Sequence, residues 1–192
     1  TLGLVVMPIG LGTVAIAGNV VVTIFGDDYR ESGAVLSVLG VVMILTTASV
    51  LFGTLAVSTG RQRFWNTVMF GCVLLTIPLD LVLVPWARDE HGNGAIGGAL
   101  AYVVTELVML VVGLWKIAPY LCDREVVWRS ARLVLAGGVM VAAIWPLRHD
   151  FLALPIAAGA VVDVIAVLAL RLLTEAEWDM IRRITGRLGV RL

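Results

Sequence analysis

The longest apolar run in the chain extends over residues 32–59 and contains no Asp, Glu, Lys or Arg. An α-helix rises ~1.5 Å per residue, so about 20 residues cross the ~30 Å apolar layer of a bilayer. The run is longer than that, and we expect its helix to tilt or to protrude. A membrane β-barrel needs strands of about 10 alternating residues, and this run does not alternate. It therefore predicts a membrane-spanning helix.

The rest of the chain has the same character. Hydrophobic residues make up 60% of it and charged residues 15%, whereas soluble domains carry roughly 25% charge. The apolar segments that we interpret as transmembrane helices are residues 1–25, 32–59, 64–86, 94–115, 133–147 and 151–170. The fifth is short, and we expect it to take its first turns from residues 126–132, with Arg129 and Arg132 reaching the membrane surface. The sequence predicts an all-α polytopic membrane protein with six spans over residues 1–170.

Residues 171–192 form a tail of a different kind. A helix from Thr174 onward places apolar side chains on one face and charged side chains on the other, and Thr174 with Glu177 fits a capping box. The apolar face consists of Trp178, Ile181, Ile184 and Leu188. The tail is expected to be an amphipathic helix lying on the cytoplasmic membrane surface. A regulatory docking helix is the alternative.

The connectors between the predicted helices are alternately poor and rich in basic residues. Eleven of the fourteen lie in the second and fourth connectors and the tail, and the other three are Arg30, Arg88 and Arg148. Lys and Arg are enriched in cytoplasmic loops. This pattern predicts a cytoplasmic C-terminus and a first helix that runs from the inside to the outside.

Three carboxylates lie within apolar segments: Asp80, Glu106 and Asp163. Ionisable groups are costly in lipid and usually face a bundle interior or a wet cavity. Asp80 is close to Pro85 near the predicted outer end of its helix, where it can reach headgroups or cap backbone groups. Asp163 is protonated, exposed to water or paired outside this chain. All three are candidates for lining a transport cavity, with structural roles as the alternatives.

Glu106 lies near the middle of its segment, where its side chain cannot reach the membrane surface. The same segment begins with small residues that allow close helix approach: Gly94, Gly97, Gly98, Ala99 and Ala101. We expect a packed neighbouring helix to supply a hydrogen-bonding partner such as a threonine. Asn19, Thr23, Thr46, Thr47 and Ser49 can line a path or bond between helices.

Other functional classes lack their signatures. There is no HExxH, GxSxG or Walker motif, and Asp80 and Asp163 lack the glycine context of intramembrane aspartyl proteases, so an enzyme is not expected. His91, His149, Cys72 and Cys122 have no metal-ligand spacing. Neither metal nor cofactor is expected, and no basic surface interleaved with aromatic residues indicates a nucleic-acid partner.

Several stretches over residues 1–115 resemble the C-terminal part of bacterial polysaccharide flippases of the multidrug/oligosaccharidyl-lipid/polysaccharide exporter superfamily. The stretches are "IFGDDYRESGAVLSVLG", "STGRQRFW", "LDLVLVP" and "GAIGGALAYVVTE". Within them, the matching positions are Phe25, Gly26, Tyr29, Ser32, Val35, Leu36, Gly60, Arg61, Gln62, Pro85, Gly94, Gly97, Gly98, Ala99 and Ala101. The family commonly has Asn at the position of Asp80.

The resemblance implies the last six helices of a MATE-like transporter with two lobes around an alternating cavity. It implies transport of a lipid-linked oligosaccharide across the bacterial cytoplasmic membrane, with membrane lipids and glycan-polymerising proteins as further partners. The chain begins with Thr1 and enters an apolar helix directly, so we expect the N-terminal lobe to be missing. A cation-coupled multidrug exporter of the same architecture and a non-transporting scaffold for glycan assembly are the alternatives. On the first interpretation, Glu106 responds to a cation or proton.

Overall fold

The computed structural model describes residues 2–119, 124–147 and 153–169, and within these ranges the chain is helical with no strand. The α-helices are α1 (Leu2–Phe25), α2 (Ser32–Ser58), α3 (Gln62–His91), α4 (Gly94–Val112), α5 (Arg124–Ile144) and α6 (Ala153–Ala169). Short 3-10 turns cover Asp27–Tyr29 and Trp145–Leu147, and a π-helical turn, Gly113–Ile117, extends α4.

The predicted all-helical class is confirmed for the described residues. Helices α1 to α4 are each long and apolar enough to cross a membrane, whereas the apolar parts of α5 and α6, Ser130–Ile144 and Leu154–Ala166, are shorter. The fifth helix does begin upstream of its apolar run, at Arg124. The third extends beyond its predicted bounds at both ends, and α1 continues through Pro8. The predicted amphipathic tail lies outside the described residues.

The helices form two groups of three. In the first group α3 packs on α4 and α4 packs on α2; in the second, α5 and α6 pack on each other and both contact α1. The seam between α1 and α2 joins the two groups. Glycines make that seam close, because a Cβ placed on Gly40 would lie 2.7 Å from the carbonyl oxygen of Gly10. Small residues allow helix backbones to approach in this way.

Large apolar side chains cover the outer surface. On α3, Leu81 is 72% exposed and Val82 is 67% exposed. Soluble monomers rarely expose contiguous apolar surface on this scale, whereas a bilayer offers it a matching environment. The apolar helices and their exposed faces indicate a membrane protein.

The connectors fall at two ends of the bundle. Asn93 Nδ2 donates to the carbonyl of Glu31 at 3.3 Å, which places the α1–α2 and α3–α4 turns together. At the opposite end, Arg61 Nη1 donates to the carbonyl of Lys116 at 2.5 Å. We call the end with Arg61, Arg63 and Lys116 the basic end and the other the base-poor end. The predicted alternation of base-poor and base-rich turns therefore matches their geometry across α1 to α4.

Candidate functional site: a buried glutamate between α2 and α4

Glu106 is only 4% exposed, and its carboxylate crosses the seam between α4 and α2. Its Oε1 accepts a hydrogen bond from Thr46 Oγ1 at 3.0 Å, and its Oε2 accepts one from Ser49 Oγ at 2.5 Å. Residues three apart share a helix face, so both hydroxyls point from α2 to the same carboxylate. Each oxygen of Glu106 therefore has its own donor.

The threonine partner predicted for Glu106 is confirmed, but the glycines of α4 serve a different contact. A Cβ on Gly97 would lie 2.1 Å from the carbonyl oxygen of Leu83 in α3, and one on Gly94 would lie 3.2 Å from Val84. Gly98 faces open space. These positions bring α3 close to α4, whereas the partners of Glu106 come from α2.

A groove of about 680 Å³ lies beside Glu106. Its walls are α2 and α3, which make few contacts with each other, and α4 forms its floor. The walls are mostly apolar, and the side chains with polar atoms or aromatic rings that line it are Thr46, Ser49, Trp65, Cys72, Thr76, Tyr102, Thr105 and Glu106. The groove therefore offers an apolar surface with one carboxylate and several hydroxyls at its base.

The chemistry of this cluster allows two protonation states. A serine or threonine hydroxyl donates to a carboxylate and can equally accept from a carboxylic acid. Gain of a proton by Glu106 would reverse one hydrogen bond without separating the side chains. Among the residues that the structure describes, no basic side chain forms an ion pair with Glu106. The cluster can therefore link the α2–α4 seam to a proton or a small cation.

Asp163 occupies a second groove, of about 470 Å³, between α1, α5 and α6. Its side chain is half-buried, and no side-chain hydrogen bond reaches it from the described part of the chain. The surrounding wall is apolar and includes Pro8, Met140 and Pro155. The structure places this carboxylate on the wall of an open groove.

Asp80 belongs to neither groove. It is half-buried on α3, which continues to His91. At ~1.5 Å per residue, Asp80 lies about 16 Å before the end of its helix, farther from that end than the sequence indicated. The three candidate carboxylates are thus not brought together, and within the described ranges no group of three or more His, Cys, Asp or Glu side chains could hold a metal.

Sequence reasoning did not place α3 at the site. Cys72 lies in the groove wall with its Sγ 3.9 Å from the carbonyl of Thr105. The groove-facing positions of α3 are Trp65, Met69, Cys72, Val73 and Thr76. This spacing is a helical stripe, so the signal was present in the sequence. The surrounding apolar residues obscured it.

Comparisons of the chain with protein-family models, with curated proteins and with solved structures each give no match. Fold and site define a helical membrane protein with a carboxylate built into the contact between two helices. A functional assignment therefore depends on the geometry of that site and on the sequence motifs.

Proposed function

We propose that this chain is the C-terminal portion of a membrane transporter that moves a lipid-linked oligosaccharide across the bacterial cytoplasmic membrane by alternating access. The placement of Glu106 carries the proposal. A carboxylate that is 4% exposed within a candidate membrane span is expensive. Glu106 lies at the base of a groove, where a bound cation or proton can favour one cavity state over the other.

The motifs supply the substrate class. The exporter-like stretches of residues 1–115 include Gly26 and Gly60, which lie in the turns before α2 and α3, and Gly97, which lies at the α3–α4 contact. The stretches extend into α2, α3 and α4, which line the Glu106 groove. The middle of each of the four candidate spans lacks Lys and Arg. Basic groups that hold a substrate pyrophosphate would then belong to another lobe of the transporter.

The proposal includes six membrane crossings. Helix α5 has 21 residues and α6 has 17, so at ~1.5 Å per residue they extend about 31 and 25 Å. With the basic end in the cytoplasm, the sixth crossing returns the chain to the cytoplasmic side. The C-terminus is then cytoplasmic.

Reconstitution tests the proposal. Full-length protein in proteoliposomes should move a fluorescent lipid-linked saccharide to the opposite leaflet, measured by quenching from outside. A deletion strain should accumulate lipid-linked sugar on the inner leaflet. Two results together would contradict transport of this substrate. The saccharide would cross no faster in proteoliposomes than in protein-free liposomes, and the sugar distribution in the deletion strain would be unchanged.

A cation-coupled multidrug exporter is the second candidate, and the groove lining favours it specifically. Tyr102, which is 45% exposed, lines the same groove as the Glu106 carboxylate, and an aromatic face with a carboxylate suits an organic cation. Uptake of cationic drugs into the same proteoliposomes separates the two candidates. The other alternative is a scaffold without transport activity. It predicts that the triple variant D80N/E106Q/D163N leaves glycan export unchanged.

A further inference from the structure

Two basic residues, Arg61 and Lys116, meet at the basic end. Arg61, in the α2–α3 turn, donates to the carbonyl of Lys116, in the π-helical turn after α4. The Lys116 ammonium lies 3.7 Å from the centre of the Trp115 ring. The hydrogen bond ties the Arg61 guanidinium to the main chain of Lys116, and the cation–π contact holds the Lys116 ammonium on the Trp115 ring.

No carboxylate in the described part of the chain pairs with either cation. The ion pair found there, Arg30 with Asp27 at 2.7 Å, belongs to the base-poor end. Arg61 and Lys116 are both exposed. Two exposed cations on adjoining segments both attract an anion. The pair therefore favours an anionic ligand.

The position of the pair relative to the membrane indicates which anion it would meet. The candidate span Gly94–Ile117 ends at this point, and Trp115 is 70% exposed. Trp is enriched at membrane–water interfaces, at the level of the headgroups. A second pair of the same kind, Arg132 over Trp128 at 5.5 Å, occurs near the start of α5. Lipid phosphates lie at this depth.

We propose that Arg61, Lys116 and Trp115 bind the headgroup phosphate of an anionic phospholipid in the leaflet at the basic end. The planar guanidinium of Arg61 can contact two phosphate oxygens, and Lys116 adds a point charge. The bound lipid bridges the α2–α3 turn to the end of α4. Because Val57 and Trp65 of the Glu106 groove lie next to that turn, the lipid stabilises one end of the groove.

The test is lipid binding to the full-length protein in zwitterionic nanodiscs. Phosphatidylglycerol should bind more tightly than phosphatidylcholine, and Lys116→Gln should weaken its binding about fivefold, as expected for ~1 kcal/mol per basic residue. The exposed side chain of Lys116 makes no hydrogen bond within the described ranges, so this variant should fold normally. R61Q/K116Q should weaken binding further, and K116R should retain it. R88Q, at the base-poor end, is the matched control.

Three results would overturn the proposal. The first is equal phosphatidylglycerol affinity in wild type and R61Q/K116Q. The second is an equal loss in R88Q, which would indicate general surface charge. The third is inorganic phosphate competing as strongly as the lipid, which would assign the pair to a soluble anion. Unaltered melting temperatures in phosphatidylcholine confirm that the variants are folded.

Discussion

Two of the carboxylates that the structure describes, those of Glu106 and Asp163, line different grooves and are held very differently. Glu106, between α2 and α4, is buried and accepts one hydroxyl donor on each oxygen. Asp163, among α1, α5 and α6, is half-buried on a groove wall with no side-chain partner in the described residues. The same chemical group is thus part of a helix seam in one place and is an open surface group in the other.

The difference shows what a membrane carboxylate needs in order to be held at a helix contact. Burial in a low-dielectric interior is tolerable when hydrogen bonds are complete, and costly when they are not. At Glu106 each oxygen has its own donor, so loss of the carboxylate would remove two hydrogen bonds between α2 and α4. At Asp163 a change alters only the groove wall. We therefore expect substitutions on the Glu106 side to have the larger effects.

The largest difference in stability between the two sides of the molecule should come from substituting one glycine on each side. A Cβ on Gly97 would overlap the carbonyl of Leu83, which is backbone and cannot rotate away, whereas one on Gly159 would lie 3.4 Å from Ile144, an ordinary contact. Gly97→Ala should reduce the free energy of unfolding by about 3 kcal/mol or more, beyond typical overpacking. Gly159→Ala should be nearly neutral. Denaturant unfolding in micelles measures both.

Gly98→Ala is the control on the same helix, because its Cβ would meet nothing within 4 Å. Because alanine favours a helix over glycine, Gly98→Ala should be neutral or slightly stabilising. Equal destabilisation by Gly97→Ala and Gly98→Ala would show that the close approach of α3 does not determine the result.

Removal of each carboxylate should give the next largest difference. Glu106→Ala leaves the hydroxyls of Thr46 and Ser49 without their acceptor and should lower the free energy of unfolding by about 2 kcal/mol. Asp163→Ala loses no such contact and should stay within about 0.5 kcal/mol. Unfolding in micelles again provides the measurement. A larger loss at Asp163 would reverse the comparison between the grooves.

The smallest effect concerns a single hydroxyl. Thr46→Val removes one donor to Glu106 and should cost about 0.6 kcal/mol, as for interhelical hydrogen bonds in membranes. Thr47→Val is the neighbour to compare, since its hydroxyl donates to the Met43 carbonyl of its own helix. If T47V proves as destabilising as T46V, the bond across the seam adds nothing.

The helices were predictable because apolar runs and turn glycines are local signals. Gly26, Gly60 and Gly92 have φ values of +94°, +71° and +69°, a region that favours glycine, and each follows a predicted helix or precedes the next. Helix ends were less predictable. Helix α3 continues past Trp86 through charged residues to His91. It ends there because Gly92, in the left-handed conformation, is its C-cap.

The site was predictable only in part. An isolated carboxylate in an apolar run identified Glu106, and the need for a partner indicated a threonine. Nothing local specified that α2 rather than α3 supplies it, because that depends on which helices meet in three dimensions. The motif glycines also have structural reasons of their own, since Gly97 contacts Leu83. They favour this packing whatever the function of the protein.

The central claim is that the Glu106 carboxylate takes part in transport. The transport rate of the Glu106→Gln variant tests it most directly. The amide keeps the shape of the carboxylate and can still bond Thr46 and Ser49, so membrane insertion and melting temperature should be unchanged. Export of the lipid-linked saccharide in proteoliposomes should fall at least tenfold, while T47V and D163N retain most of theirs. Transport by E106Q at the wild-type rate would contradict the account and leave Glu106 as a structural contact between α2 and α4.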